Sequence, residues 1–427
     1  MQNFRLLPKA GELIQKIKSG DHIFIHGAAA TPNNLIQLLL NRAPELENVT
    51  IYHLHTEGNI DYAKPEYKNS FKVRNLFVSV AMRPLIDFDR VDYIPCFLSE
   101  MPNLFRQGRI QIDYAFIQTS AIDKNGFVSL GTSVDFAKAA VMSAKYVIAE
   151  INQQMPRTFG DGLLLLKKID AALMTDQPIY RAKMVELTNE EEKIGQNVAE
   201  IIEDESCLQM GIGAIPNAVL KYLNHHKNLG IHSEMCSDGI LNLIENGAIT
   251  NSHKKFYQGR SVCSFLMGTQ KLYDHVNDNP SFFVLEADYV NNPTLIAQNP
   301  KMVSINSAVE VDLSGQVCAD SIGRKIISGV GGQIDFIRGA SLSKNGKPII
   351  AISARTKKGI SRIVPSLKEG AGVVTSRAHI HYVVTEYGVA DLYAKSLGER
   401  AKALIKIAHP EDREFLERIW FEKFIQK

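Results

Sequence analysis

Two segments of this chain, Gly27-Ala-Ala-Ala-Thr-Pro-Asn-Asn-Leu35 and Gly211-Ile-Gly-Ala-Ile-Pro-Asn-Ala-Val219, match at their Gly, Ala, Pro and Asn positions. Each follows an apolar run that reads as a strand, His22 to His26 and Cys207 to Met210. Each runs on into helical spacing, with Leu35, Leu38 and Leu39 on one face in the first case and Val219, Leu220 and Leu223 in the second. Proline suits the start of a helix, because the N–H it lacks would have had no partner there. Four matches in so short a window can arise by chance. The shared order of strand, Gly-rich turn and helix makes duplication the better reading.

A duplicated unit in a chain of 427 residues predicts two α/β domains with mainly parallel sheets. We expect an N-terminal domain over residues 1–185 and a C-terminal domain over 186–427. Thr188, followed three residues later by Glu191, resembles a capping box that opens a helix near the join. In the second domain Phe282 to Leu285, Met302 to Ile305 and Ile349 to Ile352 read as buried strands, and Asn345-Gly346 as a turn.

Charge and composition remove several function classes. The 48 basic and 46 acidic residues leave no excess positive field for a nucleic-acid backbone. The opening twenty residues carry Arg5, Lys9, Glu12, Lys16 and Lys18, so they contain no uninterrupted apolar core for a secretory signal. Apolar runs such as Leu163 to Leu166 fall far short of a membrane span. No membrane partner and a cytoplasmic location are expected. Five cysteines, Cys96, Cys207, Cys236, Cys263 and Cys318, are scattered and odd in number, which fits packed thiols better than disulfides or a zinc knuckle. The pairs His53/His55 and His379/His381 would each share a strand face but lack a third ligand at suitable spacing, so no metal is expected. Neither G-x-S-x-G nor the phosphate-binding G-x-x-x-x-G-K-[ST] occurs.

Three segments could carry chemistry. In Gly230-Ile-His-Ser-Glu-Met-Cys-Ser-Asp-Gly-Ile240 an apolar run leads to a lone acid, which places Glu234 near the carboxyl end of a strand, where open α/β sheets put their ligands. A loop carboxylate that caps or pairs locally would read the same way. The Gly211–Ile215 loop could bring backbone N–H groups and a helix start close to an anion. In Ser328-Gly-Val-Gly-Gly-Gln-Ile-Asp335, three glycines in four positions imply a sharp turn or a close backbone approach, structural or functional.

Together these segments resemble the acetyl-CoA hydrolase/transferase family, and especially its 4-hydroxybutyrate CoA-transferase branch. The likeness runs through Tyr93-Ile-Pro-Cys-Phe-Leu-Ser-Glu100, Ser129-Leu-Gly-Thr-Ser-Val-Asp135 and Glu150-Ile-Asn-Gln-Gln-Met-Pro-Arg157. It continues in Ile305-Asn-Ser-Ala-Val-Glu-Val-Asp312 and Val383-Val-Thr-Glu-Tyr-Gly-Val-Ala-Asp391. The resemblance implies two related domains of the CoA-transferase (NagB/RpiA-like) fold with the active site between them, and a homodimer. It implies Glu234 as nucleophile, with Gly211, Ile212, Gly213, Ala214, Ile215 and Asn306 contacting CoA and Gly331 and Gly332 beside the thioester. One departure stands out: where the family resemblance calls for a single lysine followed by glycines, this chain reads Ala354-Arg-Thr-Lys-Lys-Gly359. Lys357 is the expected cation on CoA.

The implied reaction is transfer of CoA between a short-chain acyl-CoA, such as 4-hydroxybutyryl-CoA or butyryl-CoA, and acetate. It would proceed through an acyl-glutamyl anhydride and a glutamyl-CoA thioester, with CoA as substrate and no tightly bound cofactor. The same residues could make an acyl-CoA hydrolase if water reached the adduct, and a CoA sensor would bind without turnover. His26, His55 and Glu57 are the expected acid-pocket residues from the N-terminal half, although histidines there could equally be structural.

Overall fold

The computed structural model describes residues 7–183, 186–211 and 213–422, and these fall into two compact units. The first comprises the residues up to Lys183 together with Val262–Val290; the second comprises those after Lys183 up to Ser261 and those from Asn291 onward. A division of the sequence at residue 185 therefore does not describe the chain path, because Val262–Val290 returns to the first unit. The run at Phe282 illustrates this. It does form a strand, Phe282–Val284, but pairs with Phe159 and Gly160 in the first unit rather than joining the second sheet. Apolar composition marks a strand without marking its neighbour.

The first unit is built on seven strands: β1 (His22–Ile25), β2 (Val49–His53), β3 (Phe71–Asn75), β4 (Val91–Tyr93), β5 (Tyr114–Thr119), β6 (Tyr146–Asn152) and β7 (Ala171–Thr175). All neighbours are parallel, in the order β7-β6-β5-β1-β2-β3-β4. Central strands of such a sheet are covered on both faces and read as continuous apolar runs. Accordingly Ile23, Phe24 and Ile25 of β1 and every residue of β5 are buried. Helix α1 (Asn33–Leu40) follows β1 and buries Leu35, Ile36, Leu39 and Leu40, while α2 (Ala137–Ser143) lies between β5 and β6.

The second unit carries β8 (Cys207–Met210), β9 (Gly230–Ile231), β10 (Met302–Asn306), β11 (Lys347–Ala351), β12 (Tyr382–Thr385) and β13 (Gly388–Asp391). Their order is β9-β8-β10-β11-β12-β13, parallel except for the antiparallel edge pair β12–β13. Helix α3 (Asn189–Ala199) opens with the Thr188/Glu191 capping box, formed reciprocally. It lies so close to α4 (Ala214–Lys221) that a Cβ on Gly195 would come within 2.8 Å of Ala218. Helix α5 (Gln333–Leu342) precedes β11, and Asn345, at φ 58°, makes the turn between them.

The series β2-β1-β5-β6-β7 in the first unit and β9-β8-β10-β11-β12 in the second are both wholly parallel and run in the same sense. With Gly27 matched to Gly211, Phe24 corresponds to Leu208. Phe24 pairs with Tyr52 and Leu208 with Ile231, so three residues further on His55 stands where Glu234 stands in the second unit. On the other side Gln118 corresponds to Asn306, and their strand partners are Glu150 and Ile350.

Candidate functional site

Glu234 leaves the carboxyl end of β9 and is partly buried. The turn that carries it is tied to β8 by Ser233, whose Oγ accepts the Met210 N–H at 3.1 Å and lies 2.7 Å from the Met235 carbonyl. One carboxylate oxygen, Oε2, accepts a hydrogen bond from Asn291 Nδ2 at 3.0 Å. Asn291 is completely buried, and the same Nδ2 lies 3.5 Å from Asp335 Oδ2 in the first turn of α5.

The carboxylate rests against Gly332, which caps α5. A Cβ placed there would fall 1.8 Å from Glu234 Oε2 and 2.1 Å from Asn291 Nδ2. Gly332 itself has an ordinary φ of −97°, so the requirement for glycine is one of space. Gly331 before it is at φ 55°, in the left-handed region that glycine enters without strain. The sequence reading of this loop as a close backbone approach is thus given a partner, the Glu234 carboxylate. The start of α5, with its partial positive charge, faces an anionic side chain.

The duplicated loop is built differently in the two units. Gly211 N–H donates to Ile305 O at 2.9 Å, and a Cβ on Gly211 would meet that oxygen at 3.0 Å. Gly213 is at φ 126°, open only to glycine, and α4 begins immediately after it with no side-chain cap. Ala214 and Ile215 form the first, half-buried turn, and Ile212 lies outside the described residues. Asn306, on the neighbouring strand, exchanges amide hydrogen bonds with Gln209 at 3.0 and 3.4 Å. In the first unit the helix start is already occupied by an internal acid. Glu150, 3% exposed, accepts from the backbone N–H of Asn34 at 3.1 Å and from its Nδ2 at 2.8 Å. The matching positions in the second unit are Ile350 and Ala218; Ala218 lies buried one turn inside α4, whose own start at Ala214 has no side-chain cap.

Lys357 sits exposed at the tip of a tight turn in which Thr356 N–H donates to Ile360 O and Gly359 N–H to Thr356 O, both at 2.8 Å. Arg355 is bound by Asp412, with bonds of 2.8 and 2.6 Å, and by Glu411 at 2.6 Å. Of the three cations in this unusual stretch, Lys357 and the equally exposed Lys358 are therefore the two with solvent-facing ammonium groups.

The first-unit candidates separate by how their polar atoms are used. His26 is an internal strut: Nε2 is 2.6 Å from Ser133 O, Nδ1 accepts the Gln118 N–H at 3.3 Å, and burial lowers its pKa against the pull of Asp135. His55 is buried beside Phe77, Phe265 and Met267, with Nε2 3.4 Å from the Met267 sulfur. Burial holds its imidazole down to about 4. Glu57 is half-buried, and desolvation raises its carboxyl above the usual range. Among the described residues no group of three or more His, Cys, Asp or Glu side chains could hold a metal ion, and no helix is long and apolar enough to cross a membrane.

Asn291 and Asp335 are the residues that sequence reasoning missed. In Asn291-Asn292-Pro293 the second asparagine is a helix cap, its Oδ1 accepting the Thr294 N–H at 2.9 Å. That capping signal hides the first asparagine, whose contact with Glu234 spans 57 residues of sequence.

Two family models match the chain: the acetyl-CoA hydrolase/transferase N-terminal domain over residues 2–186 and the corresponding C-terminal domain over residues 268–419. The chain is 48% identical over 419 residues to a 4-hydroxybutyrate coenzyme A transferase of Clostridium kluyveri, covering 98% of each. It is 47% identical over 412 residues to a succinyl-CoA:acetate/propanoyl-CoA:succinate CoA transferase of Fasciola hepatica, covering 95% of this chain and 86% of that one. Among solved structures it resembles a 4-hydroxybutyrate CoA-transferase from Porphyromonas gingivalis, with a TM-score of 0.84 and 38% identity over 98% of both chains.

Proposed function

The chain belongs to the acetyl-CoA hydrolase/transferase family and is an acyl-CoA:carboxylate CoA-transferase, and from that premise we propose that it exchanges CoA between short-chain acids with Glu234 as the covalent carrier. The observation that supports Glu234 is its seat: a carboxylate held by the buried Asn291 amide and lodged over the Cβ-free Gly332.

In the proposed sequence a Glu234 carboxylate oxygen attacks the acyl-CoA carbonyl. The carbon–sulfur bond breaks, leaving an acyl-glutamyl anhydride and CoA thiolate. The thiolate then attacks the side-chain carbonyl carbon of Glu234, which forms the glutamyl-CoA thioester and releases the first acid as its carboxylate. An incoming carboxylate reverses both steps, so the thioester's energy is retained throughout. A carboxylate is already ionised at neutral pH and needs no base, and holding it against the carbonyl makes attack effectively intramolecular. Each tetrahedral intermediate carries an oxyanion, for which backbone N–H groups of the Gly329–Gly332 loop and the Asn291 amide are the proposed donors. Loss of one such donor typically costs about 3 kcal/mol.

CoA is assigned to the second-unit loop Gly211–Ile215, where α4 starts without an internal acid, with Asn306 beside it and Lys357 as the cation. His55 and Glu57 are proposed to select the acid; His26 is not, since both its nitrogens are engaged within the unit. Acetate is proposed as one acid partner, and butyrate or 4-hydroxybutyrate as the other.

Intact mass after incubation with acyl-CoA alone tests the carrier. A CoA-sized increment is expected, removed by acetate and absent in Glu234→Ala. No increment in the unaltered enzyme during active turnover would sink the proposal. A panel of acids with acetyl-CoA then separates transfer from hydrolysis, which would yield only free CoA.

A further inference from the structure

Glu234 leaves an edge strand whose outer side is met by backbone only at Leu229, through a parallel bridge to Ile249, and at Ile231 by side chains. β9 is outermost in its sheet. The N–H groups of Gly230 and His232 donate to Ser206 O at 2.9 Å and Leu208 O at 3.1 Å, toward β8. Backbone groups alternate along a strand, so the N–H and C=O of Ile231 between them face outward. Both are met: Asn251 Oδ1 accepts the Ile231 N–H at 2.8 Å, and Lys254 Nζ donates to Ile231 O at 2.7 Å. Lys254 also donates to Arg260 O at 2.7 Å and is only 1% exposed. Its stem crosses the strand at Gly230, where a Cβ would come within 2.7 Å of Lys254 Cγ. Asn251, at φ 58°, is itself anchored by its N–H to Leu229 O at 3.0 Å and by Nδ2 to Ser261 Oγ at 3.2 Å. In the first unit the residue corresponding to Ile231, Tyr52, lies against Arg74 of a complete strand, β3.

We propose that Asn251 and Lys254 are positioning residues that stand in for the missing strand, fix the exit of β9 and thereby hold Glu234, three residues beyond Ile231, over Gly332. This role presupposes Glu234 as the nucleophile. A two-residue strand with an open edge would fray, whereas one acceptor and one charge-assisted donor on the same residue fix its peptide planes. Nucleophilic attack is sensitive to displacements of about 1 Å, so a small change in that exit reaches the chemistry without touching the CoA-contacting loop.

The test compares Asn251→Ala, Asn251→Asp and Lys254→Met in the full-length enzyme. Aspartate keeps an acceptor for the Ile231 N–H, and methionine keeps most of the lysine stem without its donors. The readouts are the rate of CoA-adduct formation by quenched intact mass and the Kd for CoA by calorimetry. Asn251→Ala and Lys254→Met are expected to slow adduct formation tenfold or more with Kd within about twofold, and Asn251→Asp to recover to within threefold of the unaltered rate. Unchanged adduct rates in Asn251→Ala, or a Kd that weakens in parallel with the rate, overturn the proposal. If Lys254→Met does not fold, the two Asn251 variants decide by themselves. Glu234→Ala run alongside separates the premise: an adduct there removes the nucleophile assignment, whereas no adduct there with full rates at Asn251→Ala removes only the positioning role.

Discussion

Replacing Gly332 by alanine adds one methyl group, and the structure predicts that this group displaces the Glu234 carboxylate, the proposed nucleophile. The new Cβ would lie 1.8 Å from Glu234 Oε2 and 2.1 Å from Asn291 Nδ2, whereas Cβ atoms essentially never approach other heavy atoms within 3.0 Å. The carboxylate must therefore shift by at least 3.0 − 1.8 = 1.2 Å. The fully buried Asn291 amide, 2.1 Å from the same Cβ, must give way as well. A misplacement of about 1 Å costs on the order of 100-fold in rate, or about 2.7 kcal/mol of barrier. The backbone itself accepts alanine, since φ is −97°, so the stability cost is that of overpacking against Asn291, about 1–3 kcal/mol. We expect Gly332→Ala to stay folded and to lose about 100-fold in kcat, assayed as CoA transfer from acetyl-CoA to butyrate with release of acetate. Gly331→Ala, by contrast, should lose stability because φ 55° is unfavourable for alanine. A Gly332→Ala enzyme with kcat within threefold of the original would refute the seat assigned to Glu234.

Two further predictions concern the first unit. Glu150→Ile should lower stability by about 1–3 kcal/mol, because the Asn34 donors at the start of α1 lose a buried acceptor. Adding Asn34→Ala should recover part of that loss, so thermal unfolding of the double variant that equals the sum of the singles would contradict the pairing. His53 and His55 have pKa values lowered by burial to about 3 and about 4. Unfolding restores values near 6.5, so the unfolded chain takes up protons that the folded one does not as pH falls from 6.5 toward 4. Stability should be full above pH 6.5 and fall by a few kcal/mol over that window. Denaturant titrations of His53→Gln should show a shallower pH slope, and an identical slope would exclude His53 as its source.

How much of this was legible in the sequence varies with the range of the interaction. Local signals held: the strand, turn and helix at Gly27 and at Gly211, and the Thr188/Glu191 box, are written in neighbouring residues. The position of Glu234 after a short strand was also readable, since its apolar approach and the following helix lie within ten residues. What the strand pairs with was not. Phe282–Val284 has the composition of any buried strand, and only the chain path brings it to Phe159 and Gly160. His26 offered no local cue that it would be held by Ser133 and Gln118, about a hundred residues away. The glycines near 330 announced a close approach, but the approaching group, the Glu234 carboxylate, could not be named from spacing.

The two halves also differ in a way that accounts for the proposed nucleophile standing in the second. Shared strand order sets the same positions at the carboxyl ends of both sheets, and the residues there differ in a concerted way. At the first helix, Glu150 takes the Asn34 N–H and amide, whereas the second unit has Ile350 at the matching strand position and no side-chain cap at the α4 start. At the loop before the following helix, Asp135 at φ 23° and Phe136, whose ring stacks on Phe105, fill the first unit. Gly331 at φ 55° and Gly332 empty the corresponding place in the second. At the strand end, His55 faces apolar rings in the first and Glu234 lies over the vacated glycine in the second. These differences depend on one another. A glutamate at position 55 would sit beside Asp135, and a phenylalanine at position 332 would leave Glu234 no seat. Converting the first half to the second's chemistry would therefore need all three changes together, and any one of them alone should lower stability.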